Sequence, residues 1–362
     1  MENTVSCLEG MIYSVNKVKD LYMSEVGIEG IGVIGAGAWG TTLANFLVRK
    51  GHDVALWIRE EEVYQQILKE RMNRTFLDGI DLSPGLKPVR AYEEAVSGRD
   101  LVLMAVPSHV FREVLKGVRV HLKPGATVLN LAKGIENDTL MTMSQVAESL
   151  LPGESRLVFA SLGGPSFARE VSMRRPTVVT IACGDLSRAQ QLQVLFADDV
   201  FRVYTTDDLV GVELCGALKN VFAIAAGISD GLDLGTNTRA ALITRGLAEM
   251  TRLGIGLGAR PATFAGLAGM GDLVLTCTGD LSRNRSVGLQ IGRGMRLEQI
   301  VKGMNTVAEG VKTTLSARTL ALKTEVQMPI VEQVYRVLYE GKNPKEAMKD
   351  LMTRVLRAEP EY

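Results

Sequence analysis

Ile31-Gly-Val-Ile-Gly-Ala-Gly-Ala-Trp-Gly40 is the most informative segment of the sequence. Its apolar start predicts a β-strand, which runs into three glycines just before a helical pattern at residues 38–50. Gly35 permits a tight exit from the strand, Gly37 lets backbone amides approach a pyrophosphate, and Gly40 lets the helix lie close to the sheet. The helix then points its unpaired N–H groups at the phosphates. The stretch predicts a dinucleotide-binding turn.

The alternative for these glycines alone is a tight turn without a ligand. A second apolar β-type run at residues 53–58 favours the binding function, because it follows at the spacing that a dinucleotide-binding βαβ unit requires.

Composition describes an ordinary globular chain of 362 residues, long enough for two domains. Lys plus Arg equals Asp plus Glu at 41 each, so nothing global favours nucleic acid or an anionic membrane surface. There are four widely spaced cysteines and three histidines, which makes a zinc site improbable and a reducing compartment the simplest setting. No uninterrupted apolar run reaches the length of a membrane span, and the amino terminus lacks the apolar core of a signal peptide.

Residues 1–28 show no clear periodicity and are expected to be a peripheral extension. Met23 lies shortly before the first strand and is an alternative start for the natural protein, so residues 1–22 are either absent from it or a loose extension.

Up to about Asp208, β-type runs alternate with helical stretches. The runs are apolar on both faces, as buried parallel strands require. They are residues 101–106, 127–132, 157–162 and 177–183, with a short closing strand at 200–206. Residues 29–208 are therefore expected to form a Rossmann-type, doubly wound, mostly parallel sheet.

From about residue 209 the β-branched runs disappear, and Ala, Leu, Met and Gly dominate. Residues 209–358 are expected to form an all-helical domain. Its expected helices are 209–227, 239–253, a stretch around 284–294, 309–322, 329–339 and 344–356.

Two segments follow strands of the predicted sheet at the edge where ligands bind in open α/β folds. One carries Lys133, and the other carries Gly164, Ser166 and Ala168 among small residues. A solvated lysine is the alternative for the first, and a turn capped by Ser166 is the alternative for the second.

Lys219 lies in the middle of a strongly apolar helical pattern. Burial would lower its pKa and make it a competent proton donor or acceptor near neutral pH, whereas a lysine that snorkels to solvent is the alternative. Asp272, which follows two glycines, is a candidate ligand for substrate hydroxyls or a helix cap.

Ser282, Arg283 and Asn284 offer a hydroxyl, a planar guanidinium and an amide, which suit a phosphate monoester. A helix beginning there would add the positive end of its dipole to the charge of Arg283. A solvated basic turn without a ligand is the alternative.

Eight motifs occur in order along both halves of the chain: Gly35-Ala-Gly-Ala-Trp-Gly-Thr-Thr-Leu-Ala44, Val106-Pro-Ser108, Ala132-Lys-Gly134, Gly164-Pro-Ser-Phe-Ala168, Leu218-Lys-Asn220, Gly227-Ile-Ser-Asp-Gly231, Gly269-Met-Gly-Asp272 and Ser282-Arg-Asn-Arg285. Together they closely resemble the bacterial NAD(P)-dependent glycerol-3-phosphate dehydrogenases over about residues 29–356.

The resemblance implies reversible reduction of dihydroxyacetone phosphate to sn-glycerol 3-phosphate for glycerophospholipid synthesis. Lys219 would be the catalytic proton donor or acceptor at C2. The implied substrate-binding residues are Lys133, Gly164, Ser166, Lys219, Asp272, Ser282, Arg283 and Asn284. The implied cofactor-binding residues are Gly35, Gly37, Ala38, Trp39, Gly40, Arg59, Lys133, Ala168, Arg283, Val307 and Glu309. A cytoplasmic location and a homodimer through the helical half are also implied, with no metal, nucleic acid or inserted membrane segment.

Two positions bear on the cofactor. The family often has Ser where this chain has Ala38, so one hydrogen bond to the cofactor is lost while the backbone amides remain. Arg59 could pair with the 2′-phosphate of NADP, whereas Glu60 or Glu61 could bind the ribose diol of NAD. We expect use of both cofactors with a preference for NADP.

Two other functions stay open on the sequence. One is a different lysine-dependent dehydrogenase, of the 3-hydroxyacid or 6-phosphogluconate type. The other is a non-catalytic sensor that binds the dinucleotide and could dispense with Lys219 and Asp272.

Overall fold

The computed structural model describes residues 27–151, 157–304, 308–356 and 358–359. The expected amino-terminal extension falls outside the described residues except for its last two positions. The candidate cofactor residue Val307 also falls outside them.

An eight-stranded sheet fills the first half, with strand order β3-β2-β1-β4-β5-β6-β7-β8. The strands are β1 Gly30–Ile34, β2 Asp53–Trp57, β3 Lys87–Val89, β4 Leu101–Met104, β5 Thr127–Asn130, β6 Val158–Gly163, β7 Thr177–Cys183 and β8 Phe201–Thr206. The first six strands have the order of a Rossmann fold and are parallel. The prediction of a Rossmann-type, mostly parallel sheet is confirmed.

Strand β7 differs from the expectation of a parallel strand, because it pairs antiparallel with β6 and parallel with β8. An apolar pattern on both faces reports burial and carries no information about direction. The connection between β6 and β7 holds only a five-residue helix, whereas a parallel crossover usually needs a longer one that packs on the sheet. The edge strand β3 was missed, since Lys87 and Pro88 are typical of edges and weak as strand signals.

Eight helices accompany the described part of this sheet. They are α1 Ala38–Arg49, α2 Glu61–Glu70, α3 Arg74–Leu77, α4 Tyr92–Val96, α5 Ser108–Arg119, α6 Met143–Leu150, α7 Ala168–Ser172 and α8 Leu186–Phe196. Helix α1 begins directly after the glycine-rich turn, and its buried face lies on the sheet. The carboxyl ends of β1, β4, β5 and β6 therefore face the same side as the amino end of α1.

The described residues after Asp208 form helices and one π-helical turn. The helices are α9 Leu209–Gly231, α10 Gly235–Gly256, α11 Pro261–Ala265, α12 Asp272–Thr278, α13 Arg283–Gly292, α14 Leu297–Lys302, α15 Glu309–Lys323, α16 Pro329–Tyr339 and α17 Pro344–Met352, and the π-helical turn is Leu267–Gly271. Helix α16 has the predicted bounds, whereas α9 and α10 are longer than predicted. The short helices between residues 261 and 278 were missed because the glycines between them leave segments too short to show a helical period.

Helix α9 is the core of this half. Among the described residues it is the one helix long and apolar enough to cross a membrane, and 89% of its most apolar window is buried inside the protein. It crosses α13 at close range: a Cβ built on Gly288 would lie 2.1 Å from the carbonyl oxygen of Ile224. This backbone contact holds the amino end of α13 next to the middle of α9.

Candidate functional site

A buried cluster of two lysines and one aspartate lies where the sheet meets the helical half. Asp272 is 1% exposed, and its carboxylate accepts a hydrogen bond from Lys219 Nζ on Oδ1 and from Lys133 Nζ on Oδ2, each at 2.7 Å. Lys219 Nζ also donates to Thr276 Oγ1 at 2.7 Å. Three elements supply the cluster: the loop after β5, helix α9 and helix α12. When Lys219 is protonated, the three charged groups carry a net positive charge.

Burial sets the acidity of Lys219. Desolvation lowers its pKa from 10.5 to about 8, with the Asp272 carboxylate opposing that shift and Lys133 adding to it. The side chain is 8% exposed, and its ammonium group is bonded inside the protein. The structure thus excludes the snorkelling alternative and leaves a lysine that can exchange a proton near neutral pH.

Asp272 stays ionised although it is buried. Desolvation alone would raise the pKa of its carboxyl, but the charges of Lys133 and Lys219 hold that pKa below its usual range. Asp272 is the first residue of α12, and its carboxylate binds the two lysines, so it does not act as the helix cap.

The loop after β6 borders Lys133. The carbonyl oxygen of Gly164 accepts hydrogen bonds from Lys133 Nζ and from Ser166 Oγ, each at 3.1 Å. Helix α7 begins at Ala168 with Phe167 as its cap residue, so Ser166 does not cap it as the alternative proposed. Ala168 lies against the glycine-rich turn's helix, because its carbonyl oxygen accepts a hydrogen bond from Thr42 Oγ1 of α1.

The predicted phosphate-binding residues lie at the start of α13, and the predicted helix is confirmed there. Ser282 caps it by accepting a hydrogen bond from Arg285 N at 3.2 Å. Asn284 donates to Asn220 Oδ1 and accepts from Gly310 N, each at 2.9 Å. Asn220 in turn donates to the carbonyl oxygen of Lys133 at 3.1 Å. This row of amides ties the start of α13 to the lysine cluster.

Arg283 differs from its neighbours, because no described residue forms a hydrogen bond or ion pair with its guanidinium. It is exposed to solvent, yet desolvation by the surrounding protein lowers its pKa, while Glu309 opposes that shift. A partly desolvated guanidinium with its donors free is suited to an anion.

Glu309 joins the two halves of the protein. Its carboxylate accepts hydrogen bonds from Ser108 N at 3.0 Å and from Ser108 Oγ at 2.5 Å. Ser108 begins α5 after strand β4, and Glu309 begins α15. The candidate cofactor residue Glu309 therefore lies at the carboxyl edge of the sheet.

The glycine-rich turn has the geometry of a phosphate cradle. Gly35 has a φ of +114°, and a Cβ on Gly40 would lie 2.0 Å from the Gly35 carbonyl oxygen. A Cβ on Gly37 would meet nothing within 4 Å, and no side-chain hydrogen bond caps α1. Within the described part of the chain the N–H groups of Ala38 and Trp39 have no hydrogen-bond acceptor, and amides of this kind at a helix start suit a dinucleotide pyrophosphate.

At the end of β2, arginines partner both acidic residues that could bind a ribose diol. Arg59 Nη2 contacts Glu60 Oε1 at 2.6 Å, and Arg90 Nη2 lies 3.6 Å from Glu61. Arg90 also donates to the carbonyl oxygen of Arg59 at 2.8 Å. The edge of the cradle is thus flanked by two guanidinium groups.

The structure brings the substrate candidates into one hydrogen-bonded region, with Arg283 beside it. The sequence interpretation missed Thr276, although its spacing of four residues from Asp272 on a helix was a usable signal. It quoted Asn220 in a motif and gave it no role, and the contact between Ser108 and Glu309 had no local signal.

The Rossmann-type sheet, the helical second half and the buried lysine cluster are the features of a nicotinamide-dependent dehydrogenase. The family models described as NAD-dependent glycerol-3-phosphate dehydrogenase N-terminus and C-terminus match residues 30–189 and 208–349. The chain belongs to this glycerol-3-phosphate dehydrogenase family.

Named relatives agree. A glycerol-3-phosphate dehydrogenase [NAD(P)+] of Geobacter sulfurreducens is 59% identical over 91% of this chain and 99% of its own length. One from Geobacter metallireducens has the same identity and coverage. The crystal structure of glycerol-3-phosphate dehydrogenase from Coxiella burnetii is 38% identical, with a TM-score of 0.87 over 90% of this chain and 99% of that one.

Proposed function

We propose that this chain reduces dihydroxyacetone phosphate to sn-glycerol 3-phosphate, reversibly, with NADPH or NADH. The observation that carries the proposal is the buried Lys219, bonded to Asp272 and Thr276 at the edge where the sheet meets the helical half. Its membership of the glycerol-3-phosphate dehydrogenase family supports the same reaction.

Lys219 is the acid in this mechanism. The nicotinamide supplies a hydride to C2 of the ketone when the cofactor is bound. The ammonium group of Lys219 donates a proton to the C2 oxygen and stabilises the negative charge that develops there. Asp272 and Thr276 orient that group, and Lys133 adds positive charge beside it. In the reverse direction neutral Lys219 takes the proton from the C2 hydroxyl.

The substrate phosphate is assigned to the start of α13. Arg283 offers its free guanidinium as the main partner, and the hydroxyl of Ser282 retains a proton to donate while it caps the helix. Asn284 fixes the start of the helix in place, because its side-chain amide is hydrogen-bonded to Asn220 and Gly310. Gly164 and Ser166 line the side next to Lys133.

The cofactor is assigned to the cradle and its surroundings. The residues that would hold it are Gly35, Gly37, Ala38, Trp39, Gly40, Arg59, Lys133, Ala168, Arg283, Val307 and Glu309. The carboxylate of Glu309, now bonded to Ser108, would hold the two halves together around it.

Arg59 is expected to favour NADPH. Replacing Arg59 by alanine should lower kcat/KM with NADPH by about tenfold, because a charge-assisted hydrogen bond to the 2′-phosphate is lost, and should leave kcat/KM with NADH nearly unchanged. Steady-state assays with both cofactors measure the ratio.

Arg74→Ala is the matched control, since Arg74 is another exposed arginine paired with a neighbouring glutamate on this side of the sheet. Equal efficiency of Arg59→Ala and the parent with NADPH would refute the role of Arg59.

A substrate panel tests the proposed reaction. Oxidation of NADPH and NADH is followed with dihydroxyacetone phosphate and, in parallel, with 3-oxoacids, and reduction of NADP with 6-phosphogluconate. Fast turnover of dihydroxyacetone phosphate alone is expected. Turnover of a 3-oxoacid or of 6-phosphogluconate in preference to it would contradict the proposal.

The wider setting belongs to the same proposal. Residues 29–208 bind the dinucleotide, and residues 209–358 complete the substrate site. The protein works in the cytoplasm and supplies glycerophospholipid synthesis.

The protein forms a homodimer through the helical half, where apolar residues such as Leu322 are exposed. Light scattering tests the assembly, and a monomer at micromolar concentration would contradict it.

A further inference from the structure

Helix α9 carries a second buried ionisable residue that the proposed reaction does not use. Glu213 is 5% exposed, and no described lysine, arginine or histidine forms an ion pair with it. Burial raises the pKa of its carboxyl, opposed by hydrogen bonds from neighbouring side chains and one backbone amide. Burying a carboxyl group without a neighbouring cation costs free energy of folding unless hydrogen bonds compensate for the lost hydration. The hydrogen bonds of Glu213 therefore show what this residue does.

One of those bonds reaches the strand that precedes Lys133. Asn130 Nδ2 donates to Glu213 Oε1 at 3.1 Å. The same amide fixes the backbone of Ala132, since Asn130 Oδ1 accepts from Ala132 N at 2.9 Å and Nδ2 donates to Ala132 O at 3.2 Å. Glu213 thus fixes the side chain of Asn130, and Asn130 fixes the backbone of Ala132, the residue directly before Lys133.

The other bonds reach the far end of the same loop. Ser144, in the first turn of α6, donates to Glu213 from its backbone N at 3.1 Å and from its Oγ at 2.5 Å. The segment between β5 and α6, which includes Lys133, therefore begins and ends at one carboxyl group.

The same face of α9 receives Lys133 itself. Glu213, Gly216 and Asn220 follow one another at spacings of three and four residues, which places them on one side of the helix. A Cβ on Gly216 would lie 3.3 Å from Lys133 Cγ, so the lysine stem packs directly on the helix. Asn220 binds the Lys133 carbonyl oxygen.

We propose that Glu213 is a positioning residue: it fixes the loop between β5 and α6 against α9, so that Lys133 meets Lys219 at Asp272. It acts through Asn130 and Ser144 and does not contact the substrate. The inference rests on the proposed function, because its activity readout is the reduction of dihydroxyacetone phosphate.

Substitution of Glu213 by glutamine or by leucine distinguishes a positioning role through hydrogen bonds from a role in packing alone. Glu213→Gln keeps an oxygen for Asn130 and for the Ser144 amide, and its NH2 can donate to Ser144 Oγ, so kcat/KM should stay within about threefold of the parent. Glu213→Leu removes all the acceptors and should lower kcat/KM for dihydroxyacetone phosphate by about 100-fold, as small displacements of reacting groups do. The KM for NADPH should rise much less than kcat/KM falls, since most of the residues assigned to the cofactor, the glycine cradle among them, are held elsewhere.

Glu249 provides the matched control. It is 2% exposed in α10 and accepts hydrogen bonds from the Ile330 and Val331 amides at the start of α16. Glu249→Leu should lower Tm as Glu213→Leu does while leaving kcat/KM for dihydroxyacetone phosphate unchanged. Asn130→Ala tests the same link from the other side and should reproduce the Glu213→Leu kinetics, even if Glu213→Leu does not fold.

Amide hydrogen exchange gives a readout that does not depend on activity. Residues 131–142 should exchange faster in Glu213→Leu and Asn130→Ala than in the parent or in Glu213→Gln. Unchanged exchange and an unchanged kcat/KM for dihydroxyacetone phosphate in Asn130→Ala, or a Glu213→Gln variant as impaired as Glu213→Leu, would overturn the inference. A parent enzyme inactive on dihydroxyacetone phosphate would instead overturn the proposed function, and the exchange experiment would still test Glu213.

Discussion

Replacing Lys219 by methionine is expected to lower kcat for dihydroxyacetone phosphate reduction by about 10⁴-fold. The loss lies at the upper end for general acid catalysis, because the same ammonium group supplies the proton and stabilises the developing alkoxide. Methionine fills the volume of the lysine stem, so the buried surroundings of α9 are preserved. Stopped-flow or steady-state assays measure the rate, and cofactor titration by fluorescence shows that the dinucleotide still binds.

The pH dependence of the parent enzyme should report the same group. With a pKa of about 8 for Lys219 in the free protein, kcat/KM for ketone reduction should fall as the pH rises through that value, because the acid form is lost. Alcohol oxidation needs the neutral amine, so its kcat/KM should rise over the same range. Residual activity of Lys219→Met should lack this ionisation.

Lys50→Met is the control for removing a structural lysine. Lys50 Nζ donates to the carbonyl oxygens of Leu195 and Ala197, so its loss should lower Tm and leave kcat unchanged. A Lys219→Met enzyme that binds cofactor and turns over at the parent rate would refute the catalytic role and would favour a dinucleotide sensor.

Replacing Asp272 by asparagine is expected to lower kcat/KM by about 100-fold near neutral pH. The Asp272 carboxylate orients the ammonium group of Lys219 and raises its pKa. With asparagine at this position, a larger fraction of Lys219 is neutral and its side chain is less well oriented towards the substrate. The reduction profile should shift to lower pH, and part of the lost rate should return on acidification. Breaking a buried ion pair should also cost about 3 kcal/mol in the free energy of unfolding.

Asp208→Asn controls for the loss of a buried carboxylate in the same half. Asp208 caps α9 by accepting a hydrogen bond from Gly211 N and also accepts from Arg260 N. Asparagine can still cap the helix, so a modest fall in Tm with an unchanged pH profile is expected. An Asp272→Asn enzyme whose pH profile matches the parent would show that Asp272 does not tune Lys219.

The sequence was sufficient for the architecture because periodicity is local. The glycines at positions 35 and 40 predicted the first βαβ unit, and helix α16 was predicted with its observed bounds. The direction of β7 was not predictable, since both strand directions give the same apolar pattern. Helices α11 and α12 were missed because, at five and seven residues, they are too short to show a period of 3.6 residues.

The candidate site was predictable as a set of residues and not as a network. Lys219 stood out as a cation in an apolar helix, but its partner Asp272 lies 53 positions away and only the fold brings them together. Glu213 is a charged residue in the same apolar helix, but its role was not predictable because its partners belong to the other half of the chain.

Isotope labelling shows directly where the hydride of the cofactor goes. NADPH that carries deuterium at the transferable position of C4 is incubated with dihydroxyacetone phosphate and the parent enzyme, and the product is analysed by mass spectrometry and NMR. We expect glycerol 3-phosphate with a single deuterium, located at C2. A product without deuterium at C2, or no product while Lys219 and Asp272 are intact, would contradict it.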